Sequence, residues 1–104
     1  MNLNTPQINS LVEAFLILKN QAEMKKFLRD LLTEAEIEEL SKRWQTAQML
    51  DQKVPYATIV KTTGLSSTTI ARVAQWLKSG KGGYRLLLTR LHHHHPTLME
   101  KGLF

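Results

Sequence analysis

The chain has 104 residues, of which 42% are hydrophobic, and a formal net charge of +5 with a pI of about 9.8. This length predicts one domain. It contains no cysteine, which excludes a disulfide scaffold and any zinc site built on thiolates. The N-terminus lacks the basic region of a signal peptide, and the apolar run at 14–18 is too short to span a bilayer. We therefore expect a soluble cytoplasmic protein.

The first predicted helix is apolar on nearly every side. Asn9 or Ser10 can cap it, and it extends to about Leu18. A helix without a polar face must be buried on several sides, which a domain this small can hardly achieve alone. Burial in a homodimer is the simplest explanation. The apolar residues are Leu11, Val12, Ala14, Phe15, Leu16, Ile17 and Leu18.

Two further helices are predicted in the first half of the chain. Apolar residues repeat at three- and four-residue spacing from Met24 to Leu32, which indicates an amphipathic second helix. Thr33 and Glu36 form a capping box that begins a longer third helix. The glutamates in its first turns could form a catalytic pair, but the helix dipole and solvent explain them. Its predicted inner stripe is Ile37, Leu40, Trp44, Ala47 and Leu50.

Three more helices complete an all-α fold of about six helices, without strand signals or an internal repeat. Pro55 fits the first turn of the fourth helix. The fifth runs from about Ser67 to Lys78 and is ended by the glycine-rich segment 79–83. Tyr84, Leu87, Leu88 and Leu91 space out a sixth helix over the core.

The C-terminal segment carries a run of four histidines, His92–His95. Adjacent histidines on a helix point in different directions, so no more than two could readily share one metal ion. We interpret the run as a natural helix end and expect no cofactor. The predicted organisation is a helical domain at 8–91 followed by the histidine run and tail at 92–104.

The segment from Tyr56 to Leu77 has the pattern of a helix-turn-helix. Gly64 lies where the first helix must stop and the chain must take a left-handed turn. Thr63 stands where an apolar residue is usual, although its methyl can pack while its hydroxyl bonds back to the helix. The second helix then opens with small hydroxyl residues suited to close approach to DNA. The predicted inner face is Ile59, Leu65, Ile70 and Val73.

The charge distribution favours binding to nucleic acid. Residues 1–52 hold six Lys/Arg and eight Asp/Glu, a balance of −2, whereas residues 53–104 hold eight Lys/Arg and one acid, a balance of +7. The basic half contains the turn motif, and such an asymmetry is typical of a DNA-binding surface.

Two segments together resemble the Trp repressor superfamily. They are LTEAEIEELSKRWQTAQML at 32–50 and TTGLSSTTIARV at 62–73. The likeness covers about 11–91, and it is closer to the small YerC/YecD-type relatives, which end in a helix similar to GGYRLLLTRL. The resemblance implies a bacterial transcriptional regulator: an intertwined homodimer whose two helix-turn-helix heads read successive major grooves of double-stranded DNA.

The resemblance also implies a vestigial effector pocket. Trp repressors hold tryptophan with a threonine, two arginines, a glycine and a serine, and Thr33, Arg43 and Arg72 match the first three of these. Val73 and Trp76 stand in place of the glycine and serine, so tryptophan is not expected to act as corepressor. Either Trp76 or Val73 fills the cleft between the third and fifth helices, or Trp76 simply extends the apolar core.

The predicted function is therefore sequence-specific DNA binding by a homodimer that acts as a repressor. The alternative is a helical protein-interaction module whose turn motif is structural; no nucleophile–base spacing or phosphate loop suggests an enzyme. Arg72 could read bases or anchor the fifth helix to the third, and Lys53 and Tyr56 are secondary phosphate candidates. The candidates for the groove are Ser66, Ser67, Thr68, Thr69, Ala71, Arg72 and Gln75, and those for phosphates are Lys61, Lys78 and Lys81.

Overall fold

The protein is described by a computed structural model that covers residues 1–94. In this range the chain forms six helices and no strand, which confirms the predicted all-α fold. None of these helices is long and apolar enough to cross a membrane. His95 and the tail 96–104 lie outside the described residues. The helices are α1 Pro6–Ile17, α2 Gln21–Leu31, α3 Glu34–Asp51, α4 Tyr56–Thr63, α5 Ser67–Ser79 and α6 Gly83–His94.

The chain divides into two compact units, Met1–Ile37 and a second unit that begins at Glu38. In the first unit, α1 begins earlier than the sequence predicted. Its cap is Thr5, whose hydroxyl accepts a hydrogen bond from the Ile8 amide at 3.2 Å, so the prediction of Asn9 or Ser10 was wrong. Pro6 explains the difference, because its fixed φ and missing N–H suit the first helical position.

The two helices of the first unit meet through an aromatic pair. The rings of Phe15 and Phe27 lie edge to face, with centroids 5.3 Å apart and planes inclined by 74°. No residue of α1 or α2 is buried in the single chain. Leu16 and Ile17 are 77% and 75% exposed. The prediction that the apolar first helix exceeds what one chain can cover therefore agrees with the observed exposure.

Both helices that follow α1 start with side-chain caps. The side chain of Asn20 accepts from the Glu23 amide at 2.9 Å. The predicted capping box of α3 is confirmed, because the Thr33 hydroxyl accepts from the Glu36 amide at 3.1 Å and the Thr33 amide donates to Glu36 Oε1 at 2.9 Å. The hydrogen bond from the Thr33 amide to the Glu36 carboxylate, and after it the Thr33 side chain, hold the pKa of the Glu36 carboxyl below its ordinary value.

In the second unit, the C-terminal part of α3 supplies one wall of the core. Residues 46–49 are all buried, and Met49 packs with residues of α4, the turn and α5. Leu40, predicted for the inner stripe, is 51% exposed in the single chain. The predicted stripe therefore does not extend to Leu40, because the core of this unit covers only the last two turns of the helix.

The end of α3 has the hydrogen bonds of a Schellman motif. Val54 N–H donates to Met49 O at 3.0 Å and Lys53 N–H to Leu50 O at 3.0 Å. Lys53 adopts φ +62°, the left-handed conformation that this motif usually gives to glycine. Val54 packs on the core, and Pro55 then occupies the cap of α4 rather than the predicted first turn.

Candidate nucleic-acid interface

The helix-turn-helix is built on the inner face that the sequence predicted. Ile59, Ile70 and Val73 are fully buried and Leu65 nearly so, which confirms that α4, the turn and α5 share one core. Gly64 ends α4 with φ +75°, and its amide donates to Val60 O at 2.8 Å. An L-residue disfavours this conformation by about 1–2 kcal/mol, so glycine fixes the position of the turn.

Thr63 explains how the turn tolerates a polar residue in its interior. The side chain is buried, its hydroxyl donates to Ile59 O at 2.8 Å, and its oxygen accepts from the Leu65 amide at 3.1 Å. One hydroxyl thus bonds back to the helix, as predicted, and also satisfies the first amide after Gly64. The two hydrogen bonds hold the start of α5 in register with α4.

The hydroxyl residues at the start of α5 divide into two groups. Ser66 caps the helix, with its Oγ accepting from the Thr69 amide at 3.1 Å and lying 3.1 Å from the Thr69 hydroxyl. Ser67 and Thr68 are exposed, and neither makes a side-chain hydrogen bond within residues 1–94. Of the four hydroxyl candidates, these two are therefore available to an external partner.

One exposed face continues along α5 from these residues. Ala71, Gln75 and Lys78 line a common groove of about 330 Å³ together with Tyr56 of α4. Arg72 is exposed and makes no hydrogen bond or ion pair to another described residue. In the single chain Arg72 therefore does not anchor α5 to α3, and its guanidinium is free to meet a partner.

The remaining predicted cations lie at the edges of this face. Lys61 is exposed in the last turn of α4, and Lys81 is exposed in the link between α5 and α6. The first residue of that link is Gly80. Glycine is required there because a Cβ would come within 2.5 Å of Trp76 O. The link itself is short, since α6 begins at Gly83.

An ionic cluster that was not predicted from the sequence joins α3 and α6. Asp51 Oδ1 accepts from Arg85 at 2.8 Å, and Asp51 Oδ2 lies 3.0 Å from His92 Nε2. Burial opposes ionisation of Asp51, but the hydrogen bonds from His92 and Arg85 outweigh it and lower the carboxyl pKa. Among the described residues, no group of three or more potential ligands could hold a metal ion.

The residues of the predicted effector pocket occupy both units. Thr33 is exposed at the start of α3 in the first unit, and the other four residues belong to the second. There, the Arg43 guanidinium lies over the Trp76 ring, 5.8 Å from its centroid. Arg43 also pairs with Glu39 at 2.8 Å, whereas its Nε is buried without a partner within the described chain. Val73, also on α5, is fully buried.

An aromatic and apolar surface adjoins Trp76. Trp44 and Tyr84 stack with centroids 6.4 Å apart and planes within 11°. The pKa of the Tyr84 phenol is raised, because the effect of burial exceeds the opposing effect of the positive charge on nearby Arg43. A groove of about 530 Å³ runs from Trp76 and Tyr84 along α6. Leu88 is buried as predicted, but Leu87 is 53% exposed and lines this groove instead of the core.

Comparison with known proteins agrees with a helix-turn-helix of this architecture. The sequence profile of the family described as Trp repressor protein matches residues 6–92. The chain belongs to the Trp repressor family.

One protein of similar sequence and two solved structures are also similar to this chain over most of its length. The uncharacterized protein YerC of Bacillus subtilis is 35% identical over 89 residues, which cover 86% of each chain. A crystal structure of a TrpR-like protein from Eubacterium eligens superposes with a TM-score of 0.82 and 38% identity, covering 86% of this chain and 92% of that one. One from Staphylococcus aureus gives a TM-score of 0.81 and 39% identity, with 86% and 89% coverage.

Proposed function

We propose that this protein is a sequence-specific DNA-binding transcriptional regulator that acts as a homodimer through its helix-turn-helix. The observation that carries the proposal is the combination of a fully buried α4–α5 core with an exposed α5 face in the basic half of the chain. A recognition helix needs both properties, because its inner residues fix its angle while its outer residues enter the major groove.

The proposed roles follow from position along α5. Ser67 and Thr68 would approach the groove first, Ala71 is small enough to meet a thymine methyl, and Arg72 and Gln75 can hydrogen-bond to base edges. Ser66 and Thr69 would cap the N-terminus of α5 while remaining near the DNA backbone. The phosphate contacts would come from Lys61, Lys78 and Lys81.

The proposed homodimer rests on apolar surface that one chain leaves open. Leu11, Val12, Leu16 and Ile17 of α1 are between 39% and 77% exposed. In the second unit, considered by itself, Leu40 of α3 is 51% exposed and an apolar groove runs along α6. Scattered exposed leucines are ordinary, but so many on one small domain are typical of a surface that a partner covers.

We further propose that DNA binding does not require tryptophan. The support is the Arg43–Trp76 contact together with the burial of Val73. In this account the guanidinium that would face a ligand already lies against the protein's own indole, 5.8 Å from the ring centroid. A ligand that finds no room in either the free or the DNA-bound state cannot shift the equilibrium between them.

A titration with free tryptophan tests this part of the proposal. We expect the affinity for the preferred duplex to stay constant, and a tenfold gain, about 1.4 kcal/mol, would contradict it. Trp76→Ala should weaken binding if the indole holds α5 at its working angle. An unchanged affinity would show that Trp76 only extends the packing.

DNA binding itself is tested by paired substitutions on α5. Lys78→Ala should weaken specific and random duplexes alike and flatten the salt dependence by about 0.9 in log–log slope. Thr68→Ala should instead change which sequence is preferred. Identical behaviour of the two variants on both duplexes would refute the assignment of α5 as recognition helix. If the unmodified protein itself shows no salt-dependent affinity for DNA, the result would favour a protein-interaction module.

A further inference from the structure

The C-terminal half of α5 borders two grooves on the surface of the second unit that share part of their lining. Each has a volume of about 330 Å³, and both are lined by Tyr56, Ala74 and Lys78. One groove opens toward Ala71 and Gln75, on the face proposed to meet base edges. The other extends away from that face to the end of α3, where Lys53 and the Asp51–Arg85 pair line it.

Lys53 lies on the rim of the second groove in a conformation that its side chain does not favour. Its φ of +62° is the only positive value among the non-glycine residues 1–94. The Schellman hydrogen bonds would form equally well with glycine at this position, and glycine would avoid the steric conflict of Cβ. The packing at the end of α3 therefore does not explain why this position carries a lysine. A negatively charged partner that binds beside the groove would explain it.

The charges around the second groove are unequal. Among residues 1–94, Asp51 is the only acid that lines it, and both carboxylate oxygens are already engaged, one by Arg85 at 2.8 Å and the other by His92 at 3.0 Å. Lys53 and Lys78 form no ion pair with another described residue. The Tyr56 phenol, on a side chain that is 46% exposed, adds a hydrogen-bond donor to the lining of the same groove.

We infer that this groove is a track for the DNA backbone, in which Lys53, Tyr56 and Lys78 contact phosphates of the strand that leaves the base-reading face of α5. The inference rests on the proposed function and deepens it by adding Lys53 as a phosphate contact. The shared lining of the two grooves gives the path, and the unbalanced lysines give the charge complementarity to phosphodiester groups. Lys53 would make this contact from a disfavoured backbone conformation. Replacing it by glycine is therefore expected to raise the stability of the fold and to lower the affinity for DNA.

Lys53→Gly tests the inference because the two effects have opposite signs. The probe is a fluorescein-labelled duplex of about 20 bp with random sequence, titrated by anisotropy between about 50 and 200 mM salt. The variant should have a higher unfolding midpoint and a log–log slope flatter by about 0.9. That slope difference means that, across the fourfold change in salt, the unmodified protein loses about 3.5-fold more affinity than the variant.

Two controls separate the contact from net charge and from folding. Lys53→Arg keeps the charge and should retain the slope. Lys25→Ala removes one charge from an exposed position on α2 and should leave the slope unchanged. A Lys53→Gly variant that keeps the full slope would overturn the inference while leaving the proposed function standing.

The test also distinguishes other failures. If the unmodified protein binds no duplex, the proposed function fails and the inference fails with it. If Lys53→Gly loses binding to inorganic phosphate, measured by calorimetry, but keeps the full DNA slope, the groove is a small-anion site and the backbone track is refuted.

Discussion

Two glycine substitutions of identical chemistry should change stability in opposite directions. Gly64 has φ +75°, and a Cβ added there would meet nothing within 4 Å, so Gly64→Ala carries only a backbone penalty. That penalty is about 1–2 kcal/mol. It is offset by about 0.4–1 kcal/mol because alanine restricts the unfolded chain. The net expectation is a loss of roughly 1 kcal/mol.

Gly83 provides the matched control. It begins α6 without a positive φ, and an added Cβ would again meet nothing within 4 Å. Gly83→Ala should therefore stabilise the protein by about 0.4–1 kcal/mol. Urea unfolding of both variants at one fixed protein concentration measures the difference, and a fixed concentration matters because dimer stability follows mass action. Equal effects of the two substitutions, or a stabilising Gly64→Ala, would refute the left-handed turn as the reason for Gly64.

Three further predictions concern the core, the ionic cluster and the dimer. Thr63→Val leaves the Leu65 amide without its acceptor and should cost about 1–3 kcal/mol in urea unfolding, whereas Thr62→Val at the exposed neighbouring position should stay within about 0.5 kcal/mol. Asp51 has a lowered pKa in the folded protein, so its contribution to stability is present above the unfolded-state pKa and is lost as the pH falls through the folded value. Asp51→Asn should accordingly be less stable than the unmodified protein at neutral pH, with a difference that shrinks on acidification; a constant difference in the unfolding free energy would contradict this. In the proposed dimer the partner would complete the burial of the Phe15 ring, so Phe15→Ala should cost about 3–5 kcal/mol and lower a concentration-dependent unfolding midpoint; a folded monomer of about 12 kDa in sedimentation would argue against the dimer.

The helix-turn-helix could be predicted from sequence because its determinants are local. Gly64 marks the turn, and the apolar residues on either side recur at helical spacing, so Ile59 and Ile70 could be assigned to the core. The capping box of α3 is local in the same sense, since its two residues are three positions apart. Short-range geometry alone is enough to decide these features.

The features that sequence analysis missed depend on distant parts of the chain or on competing local signals. The Asp51–Arg85 pair joins residues 34 positions apart, and no local pattern indicates it. The Schellman motif at the end of α3 was not predicted, because Lys53 occupies the position at which this motif usually has glycine. Leu40 and Leu87 have core-like spacing but are exposed in the single chain, because periodicity indicates an apolar face without showing what covers it.

Selection of bound sites from a pool of random duplexes tests the central claim most directly. The protein should enrich a palindrome whose half-sites are separated by about one helical turn, roughly 10 bp, because two α5 helices related by dimer symmetry would read successive major grooves. The selected site should lose its preference when Thr68 is replaced by alanine. A retained pool that stays random after repeated rounds, at a salt concentration where the protein still binds DNA, would contradict sequence-specific recognition by α5.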